Sequence, residues 1–122
     1  MYPKDRKYSK EHEWVLLEED GRALVGITEY AQEQLGDVVF VDLPEAGSKV
    51  AQSDKMGEIE SVKAVSDIYT PVSGQGDETN DGLLDHPELI NDDPYEKGWM
   101  VRLSGIEEAE LSGLMTADEY EA

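Results

Sequence analysis

Residues 58–69 read Glu58-Ile59-Glu60-Ser61-Val62-Lys63-Ala64-Val65-Ser66-Asp67-Ile68-Tyr69, two short runs with β-branched residues on either side of a lysine. Such runs favour extended strands, and the small residues at their junction favour a tight reversal, so the segment predicts a β-hairpin with Lys63 at its tip. Thr70-Pro71-Val72-Ser73-Gly74 follows and ends the second strand. The chain holds seven lysines against 29 acidic residues, which makes one uncrowded amine at a turn conspicuous. By itself a turn lysine is an ordinary solvated surface residue. The rest of the chain gives Lys63 its meaning.

Around the hairpin the sequence breaks into short elements. Trp14 to Leu17 reads as a strand, Asp20-Gly21 as a turn, and Ala23 to Ile27 as the returning strand. Thr28 then caps a short helix, with Ala31 and Leu35 on one face and Gly36 closing it. Val38 to Leu43 has the strongest strand pattern and stops at Pro44; residues 53–58 lead into the hairpin, and Val72 begins the next strand. Pro87-Glu88-Leu89-Ile90 reads as a helical turn and Trp99 to Leu103 as a late strand. Ser104 with Glu107, and Thr116 with Glu119, have capping-box spacing, which predicts a helix from about Ile106 to Leu114 and a final turn near Tyr120. Many short strands with few helices imply a small sandwich or half-closed barrel.

Composition narrows the function. A chain of 122 residues fits one domain with a modest core, and no apolar run reaches membrane-spanning length. The net charge of −19 argues against nucleic acid, whose phosphates need clustered Lys and Arg. It suits an acidic carrier whose partners have basic docking faces, or a host with a high-salt cytoplasm that screens the self-repulsion. There is no cysteine, hence no disulfide and no thiol chemistry of the chain's own. The start, Met1-Tyr2-Pro3-Lys4-Asp5-Arg6-Lys7, has neither the apolar core of a signal peptide nor the composition of a transit peptide. A prokaryotic cytoplasm is therefore expected, or the mitochondrial matrix for a processed form.

Several motifs in order carry a resemblance. They are Glu11-His12-Glu13-Trp14-Val15 after Tyr8, Val25-Gly26-Ile27-Thr28-Glu29-Tyr30-Ala31-Gln32, and Leu35-Gly36-Asp37-Val38-Val39-Phe40-Val41-Asp42-Leu43-Pro44. The lysine hairpin, Pro87-Glu88-Leu89-Ile90-Asn91, Asp93-Pro94-Tyr95, Gly98-Trp99-Met100 and Ala117-Asp118-Glu119-Tyr120 complete the series. Together they resemble the H protein of the glycine cleavage system almost end to end. The resemblance implies a mainly β fold, a lipoyl/biotinyl-type barrel-sandwich hybrid of two antiparallel sheets with short helices and a C-terminal helix. It implies one lipoyl-bearing domain over residues 1–122, with the sandwich over about 8–104 and a C-terminal helical segment over about 105–122.

The resemblance also implies lipoate in amide linkage to Lys63, with Glu60, Ser61, Val62, Ala64 and Asp67 presenting that lysine to a lipoate-attaching enzyme. The arm would carry the aminomethyl group of glycine from the pyridoxal-phosphate P protein to the T protein, which passes the one-carbon unit to tetrahydrofolate. The flavin-containing L protein would then reoxidise the arm. Glu13 and Asp67 would face a cleft that receives the loaded arm, with an apolar wall from Ile27, Leu35 and Ile68. A carboxylate there would stabilise the arm's protonated amine. The family often has a histidine where this chain has Gln34. Such a carrier is expected to be a monomer and not an enzyme, because the cofactor supplies the chemistry and the protein supplies position and shielding.

Other features weigh less. Asp77, Thr79, Asp81, Gly82, Asp85 and Glu88 fall at calcium-loop spacings, but Pro87 interrupts the loop and no helix precedes it; in so acidic a chain coincidence is the better reading, and no structural metal is expected. His12 and His86 lack a second histidine at ligand spacing and read as ordinary polar residues, while Trp14 and Trp99 read as core or near-surface aromatics. Gln75-Gly76-Asp77-Glu78-Thr79 puts Gly76, Asp77 and Thr79 where the family has apolar strand residues, so this strand should be bulged, frayed or shifted in register. Rival readings are an H-like carrier for lipoyl relay or sulfur metabolism, and an unmodified acidic binding module. A biotin carrier is disfavoured because Val62-Lys63-Ala64 lacks methionines beside the lysine.

Overall fold

The computed structural model describes residues 2–121; Met1 and Ala122, the outer ends of the expected domain, lie outside the described residues. The chain runs through β1 (Lys7–Tyr8), β2 (Glu13–Leu17), β3 (Ala23–Ile27), α1 (Glu29–Leu35), β4 (Val38–Asp42), β5 (Lys49–Val50), β6 (Lys55–Ser61) and β7 (Val65–Tyr69). It continues with β8 (Gly74–Thr79), α2 (Gly82–Asp85), α3 (Leu89–Asp92), β9 (Val101–Ser104), a 3-10 turn (Glu108–Gly113) and α4 (Ala117–Glu121). Two antiparallel sheets result, one of six strands ordered β1-β2-β3-β9-β8-β5 and one of three ordered β4-β6-β7.

The two-residue period of the strands explains how both faces of the larger sheet are used. Val15, Val25, Ile27, Val101 and Leu103 face the main core shared with Val41, Ile59 and Ile68 of the smaller sheet. Trp14 and Leu24 point the other way, into a second cluster with Tyr8 and Ala117, against which Tyr2, Tyr95 and Tyr120 pack. Glu13 has the same parity as Val15 and is paired with Ile27, so the period that buries Val15 also carries the Glu13 carboxyl inward.

Local signals account for most boundaries. The Thr28 hydroxyl accepts from Ala31 N–H at 3.2 Å, and Gly36 ends α1 at φ 79°. The capping box at the C-terminus forms as its spacing predicts, with Thr116 N–H donating to Glu119 at 2.9 Å and Glu119 N–H to Thr116 at 3.2 Å.

Three expectations need correction. No α-helix runs from Ile106 to Leu114; a 3-10 turn, Glu108–Gly113, takes its place. The Ser104/Glu107 box does not form because Ser104 belongs to β9 and its hydroxyl donates to Asp77 at 3.1 Å, while Gly105 at φ 60° breaks the chain's path. The strand expected from Val72 begins at Gly74, since the Val72 carbonyl is taken by the Thr70 hydroxyl at 2.6 Å. The late strand likewise starts at Val101, not Trp99.

The odd strand is bulged. Pairing of β8 with β9 shifts between Gly76 and Glu78, which leaves Asp77 as the extra residue. A bulge puts neighbouring side chains on the same side, and here Asp77 and Glu78 are both exposed beside cations. Arg22 lies 3.5 Å from Asp77 and 3.2 Å from Glu78, and Arg102 lies 2.9 Å from Glu78. The aspartate therefore escapes the burial that a regular strand would have imposed.

Candidate functional site: the lysine turn and its cleft

The hairpin of β6 and β7 reverses through Ser61-Val62-Lys63-Ala64, and Ser61 closes it. Ser61 N–H donates to Ala64 C=O at 2.8 Å. The Ser61 hydroxyl donates to the same carbonyl at 3.2 Å and accepts from Lys63 N–H at 3.3 Å and Ala64 N–H at 3.1 Å. Val62 N–H donates to Asp37 C=O at 3.1 Å, tying the turn to the loop between α1 and β4. With its backbone bonded internally and Ser61 buried, the turn leaves Val62, Lys63 and Ala64 exposed. A rigid support for a free amine follows from these bonds.

The lysine stem lies across Gly36. A Cβ placed on Gly36 would sit 3.3 Å from Lys63 Cε, closer than most side-chain neighbours approach. Only glycine leaves this room and also takes φ 79° without strain. Asn91 holds that loop from below: its amide donates to Gly36 C=O at 2.8 Å and to Gln32 at 2.9 Å, and its oxygen accepts from Val38 N–H at 2.9 Å.

A cavity of about 300 Å³ opens beside the turn, between α1 and β7. All five cleft residues expected from sequence (Glu13, Ile27, Leu35, Asp67 and Ile68) line it together, as does Ala64. Ile27, Leu35 and Ile68 are buried and form its apolar wall. Glu13 is 2 % exposed, its carboxyl accepting from the Ser9 hydroxyl at 2.6 Å and Tyr69 N–H at 3.3 Å. Burial pushes the Glu13 carboxyl from its ordinary 4.5 up to about 7; the bonds from Ser9 and Tyr69 oppose that rise only in part, and the Glu11 charge adds to it. Asp67 is exposed, 3.4 Å from Lys55 and 3.4 Å from the Tyr69 hydroxyl. The floor is thus a buried carboxyl that holds its proton near neutrality, and the rim is a solvated carboxylate already paired with a lysine.

His12, Tyr30 and Gln34 line the same cavity, and of these the sequence reading placed only Gln34 near the arm. His12 sits at φ 70°, with Nδ1 2.6 Å from the Tyr120 hydroxyl and its ring 4.7 Å from that of Tyr30. A left-handed histidine is signalled only weakly by sequence, unlike a glycine at the same angle. A larger cavity of about 410 Å³ lies on the far side of Glu13, among Tyr8, Ser9, Tyr69, Pro71 and Met115, and shares Glu11 and Glu13 with the first.

Among the described residues no three His, Cys, Asp or Glu side chains gather to hold a metal ion. The acids at calcium-loop spacing are dispersed in use: Asp77 meets Ser104 and Arg22, Asp81 accepts from Thr79, and Glu88 lies beside His86. No helix among the described residues is long and apolar enough to cross a membrane.

The family profile for the glycine cleavage H-protein matches residues 6–122. The chain belongs to this family. A glycine cleavage system H protein of Escherichia coli O7:K1 is 56 % identical over 120 residues, covering 98 % of this chain and 93 % of the relative. One from Listeria innocua serovar 6a is 53 % identical over 119 residues, covering 98 % and 94 %. The crystal structure of a glycine cleavage system H protein from Mycobacterium marinum superposes with a TM-score of 0.87 at 43 % identity, covering 98 % of this chain and 95 % of that one. Family members are non-catalytic carriers with a lipoyl group covalently attached to a lysine, and this chain is such a carrier, working with the proteins of the glycine cleavage system.

Proposed function

We propose that Lys63 is the lipoylated lysine and that the cleft lined by Glu13 and Asp67 shelters the arm as it shuttles the aminomethyl group of glycine. The observation that carries this reading is one exposed lysine on a turn locked by Ser61, its stem against Gly36, with Ala64 of the same turn lining a half-apolar cavity that has a buried carboxyl as its floor. The residues present fit a lipoyl group: a free amine for the amide, an apolar wall for the aliphatic stem, and carboxyls for a terminal ammonium. When attached, the group supplies the disulfide that accepts the aminomethyl unit, chemistry that a chain with no cysteine lacks.

The chain's own residues then position and protect. Gly36 lets the lysine stem lie flat, and Ser61 fixes the direction in which it leaves. Ile27, Leu35 and Ile68 keep water from the cleft wall, which slows hydrolysis of the carried unit. Burial raises Glu13 to about 7, so near neutral pH it keeps much of its protonated form in the empty cleft and ionises further as an ammonium arrives. Asp67 meets the same cation at the rim. Partners in this reading are the P, T and L proteins and the lipoate-attaching enzyme, which Glu60, Ser61, Val62 and Ala64 serve by presenting the lysine. The carrier acts as a cytoplasmic monomer, since brief visits to several enzymes favour small reversible contacts.

Intact mass after incubation with lipoate, ATP and a lipoate ligase tests the attachment. The parent gains one lipoyl group and Lys63→Arg gains none. A folded parent that gains nothing would leave an acidic binding module as the better description.

A further inference from the structure

We propose that Phe40 and Val65, flanking Glu60 on the outer face of the three-stranded sheet, form the docking surface for the enzyme that acylates Lys63. This rests on Lys63 being the attachment point. Pairing aligns Phe40 with Glu60 and Glu60 with Val65, so the three side chains form one row across β4, β6 and β7. The neighbouring row, Val41-Ile59-Ser66, faces inward, so by strand alternation the first row faces solvent. A solvated sheet face ordinarily carries polar residues. Here Phe40 is 54 % exposed and Val65 61 %.

More of the exposed apolar side chains lie near Lys63 than elsewhere. Of seven exposed large hydrophobic side chains among the described residues, Val39, Phe40, Val62 and Val65 belong to the strands and turn around Lys63. Large apolar side chains left exposed close together mark an interaction site. Carboxylates edge it: Asp37 precedes β4, and the row Asp42-Glu58-Asp67 runs parallel to the first on the same face. The complementary partner has an apolar patch ringed by Lys and Arg.

The occupant follows from what the partners can grip. Enzymes that work on the modified carrier can hold the arm itself. The acylating enzyme meets the chain before an arm exists and must choose one lysine among seven by the protein surface around it. In that step the Lys63 amine attacks the carbonyl of a lipoyl-adenylate made from lipoate and ATP. The amide C–N bond forms, the C–O bond to AMP breaks, AMP leaves, and the amine's proton passes to solvent. A second copy of this chain fits the patch less well. Two faces of the same negative charge repel, and the bulge between Val38 and Phe40 disrupts the edge of β4 that strand-to-strand pairing would need.

The test is the rate of acylation against carrier concentration, read by intact mass, for the parent, Phe40→Thr, Val65→Thr, Phe40→Leu and Leu17→Thr. Threonine keeps strand preference, and Leu17 is an exposed hydrophobic on the other sheet. Loss of a central aromatic anchor should raise KM about tenfold for Phe40→Thr, with kcat within about twofold. Phe40→Leu should recover most of the affinity, and Leu17→Thr should match the parent. The same ranking should appear in direct binding to the enzyme on a Lys63→Arg background, where no acylation occurs. Unchanged KM in folded Phe40→Thr and Val65→Thr would overturn the proposal, as would a fall in kcat alone, which would mean that Phe40 shapes the turn. A parent dimer in sedimentation that Phe40→Thr abolishes with KM unchanged would assign the patch to self-association. No acylation of the folded parent would remove Lys63 as the attachment point, and this proposal with it.

Discussion

Glu13 offers a sharp test of the cleft because its predicted effect has both a sign and a pH window. The unfolded chain releases this proton near 4.5 and the folded chain near 7, so between those values the folded state holds a proton that the unfolded state has lost. Rising pH therefore favours unfolding across that window, and the penalty levels off above it. A shift from 4.5 to about 7 is worth about 3 kcal/mol at 1.36 kcal/mol per pH unit, and Glu13 at 2 % exposure is too buried for solvent to screen much of it. Glu13→Gln removes the titration and keeps the shape: its carbonyl can accept from Tyr69 N–H and its amide can donate to the Ser9 hydroxyl. Urea unfolding of both proteins at matched ionic strength should show the variant gaining on the parent by about 2.5 kcal/mol between pH 5 and pH 8. The other acids cancel in the difference. A gap that stays within about 1 kcal/mol would show that burial does not raise this carboxyl, and a gap that narrows with pH would show that folding favours its ionised form. Either result would refute the reasoning.

Further outcomes follow from neighbouring geometry. Gly36→Ala combines a left-handed φ with a Cβ 3.3 Å from Lys63 Cε, so it should cost about 1 kcal/mol in denaturant unfolding and slow acylation of Lys63. Asn91→Ala leaves Val38 N–H and Gly36 C=O without their partner; the expected loss is about 2 kcal/mol by the same assay, with Asn91→Asp recovering only the bond to Val38. Lys55→Gln frees Asp67 from its competing cation, so the carrier should hold a cationic arm longer, slowing hydrolysis of the carried unit about twofold by single-turnover assay, an effect that vanishes in Asp67→Asn. With a net charge of −19, the melting temperature should rise by several degrees as salt goes from about 0.01 M to about 1 M, the range over which screening shortens from about 30 Å to about 3 Å.

Elements set by neighbours in the chain were legible in the sequence, and those set by distant neighbours were not. The lysine turn, the Thr28 cap and the Thr116/Glu119 box each depend on residues within four positions, and all three form. Ser104 and Glu107 have the same box spacing, yet pairing of Ser104 with Gln75 and its bond to Asp77 claim the residue for β9. Tertiary structure overrides a local signal worth about 1 kcal/mol. The irregularity of β8 was legible from Gly76 and Asp77, but the two arginines that receive its acids come from β9 and the turn before β3. In the cleft, Glu13, Ile27, Leu35, Asp67 and Ile68 were placed together by resemblance. His12 was missed because its left-handed backbone, bonded from Thr28 N–H to its carbonyl at 3.0 Å, depends on packing of α1 and α4 around it.

Two unfavourable features stand side by side at the floor of the cleft: a histidine at φ 70° and a carboxyl buried to 2 % exposure. Each costs stability, and neither is needed to complete the sandwich, whose other buried polar side chains, Thr28, Ser61 and Thr70, are uncharged. They persist because the surroundings over-determine them. Tyr120 fixes the His12 ring and Thr28 at once, at 2.6 Å and 2.8 Å, and Ser9 and Tyr69 grip Glu13 from two separate elements. The turn that carries Lys63 is held with equal redundancy by Ser61, Asp37 and Asn91. Turn and cleft floor are each held by several hydrogen bonds, so on the proposed reading the flexibility of transfer falls chiefly to the lysine stem and whatever it carries. A carrier built this way need not change shape to release its load. On the proposed reading, a partner has only to offer the arm's ammonium a better site than a carboxyl raised to about 7 by burial and another already beside Lys55.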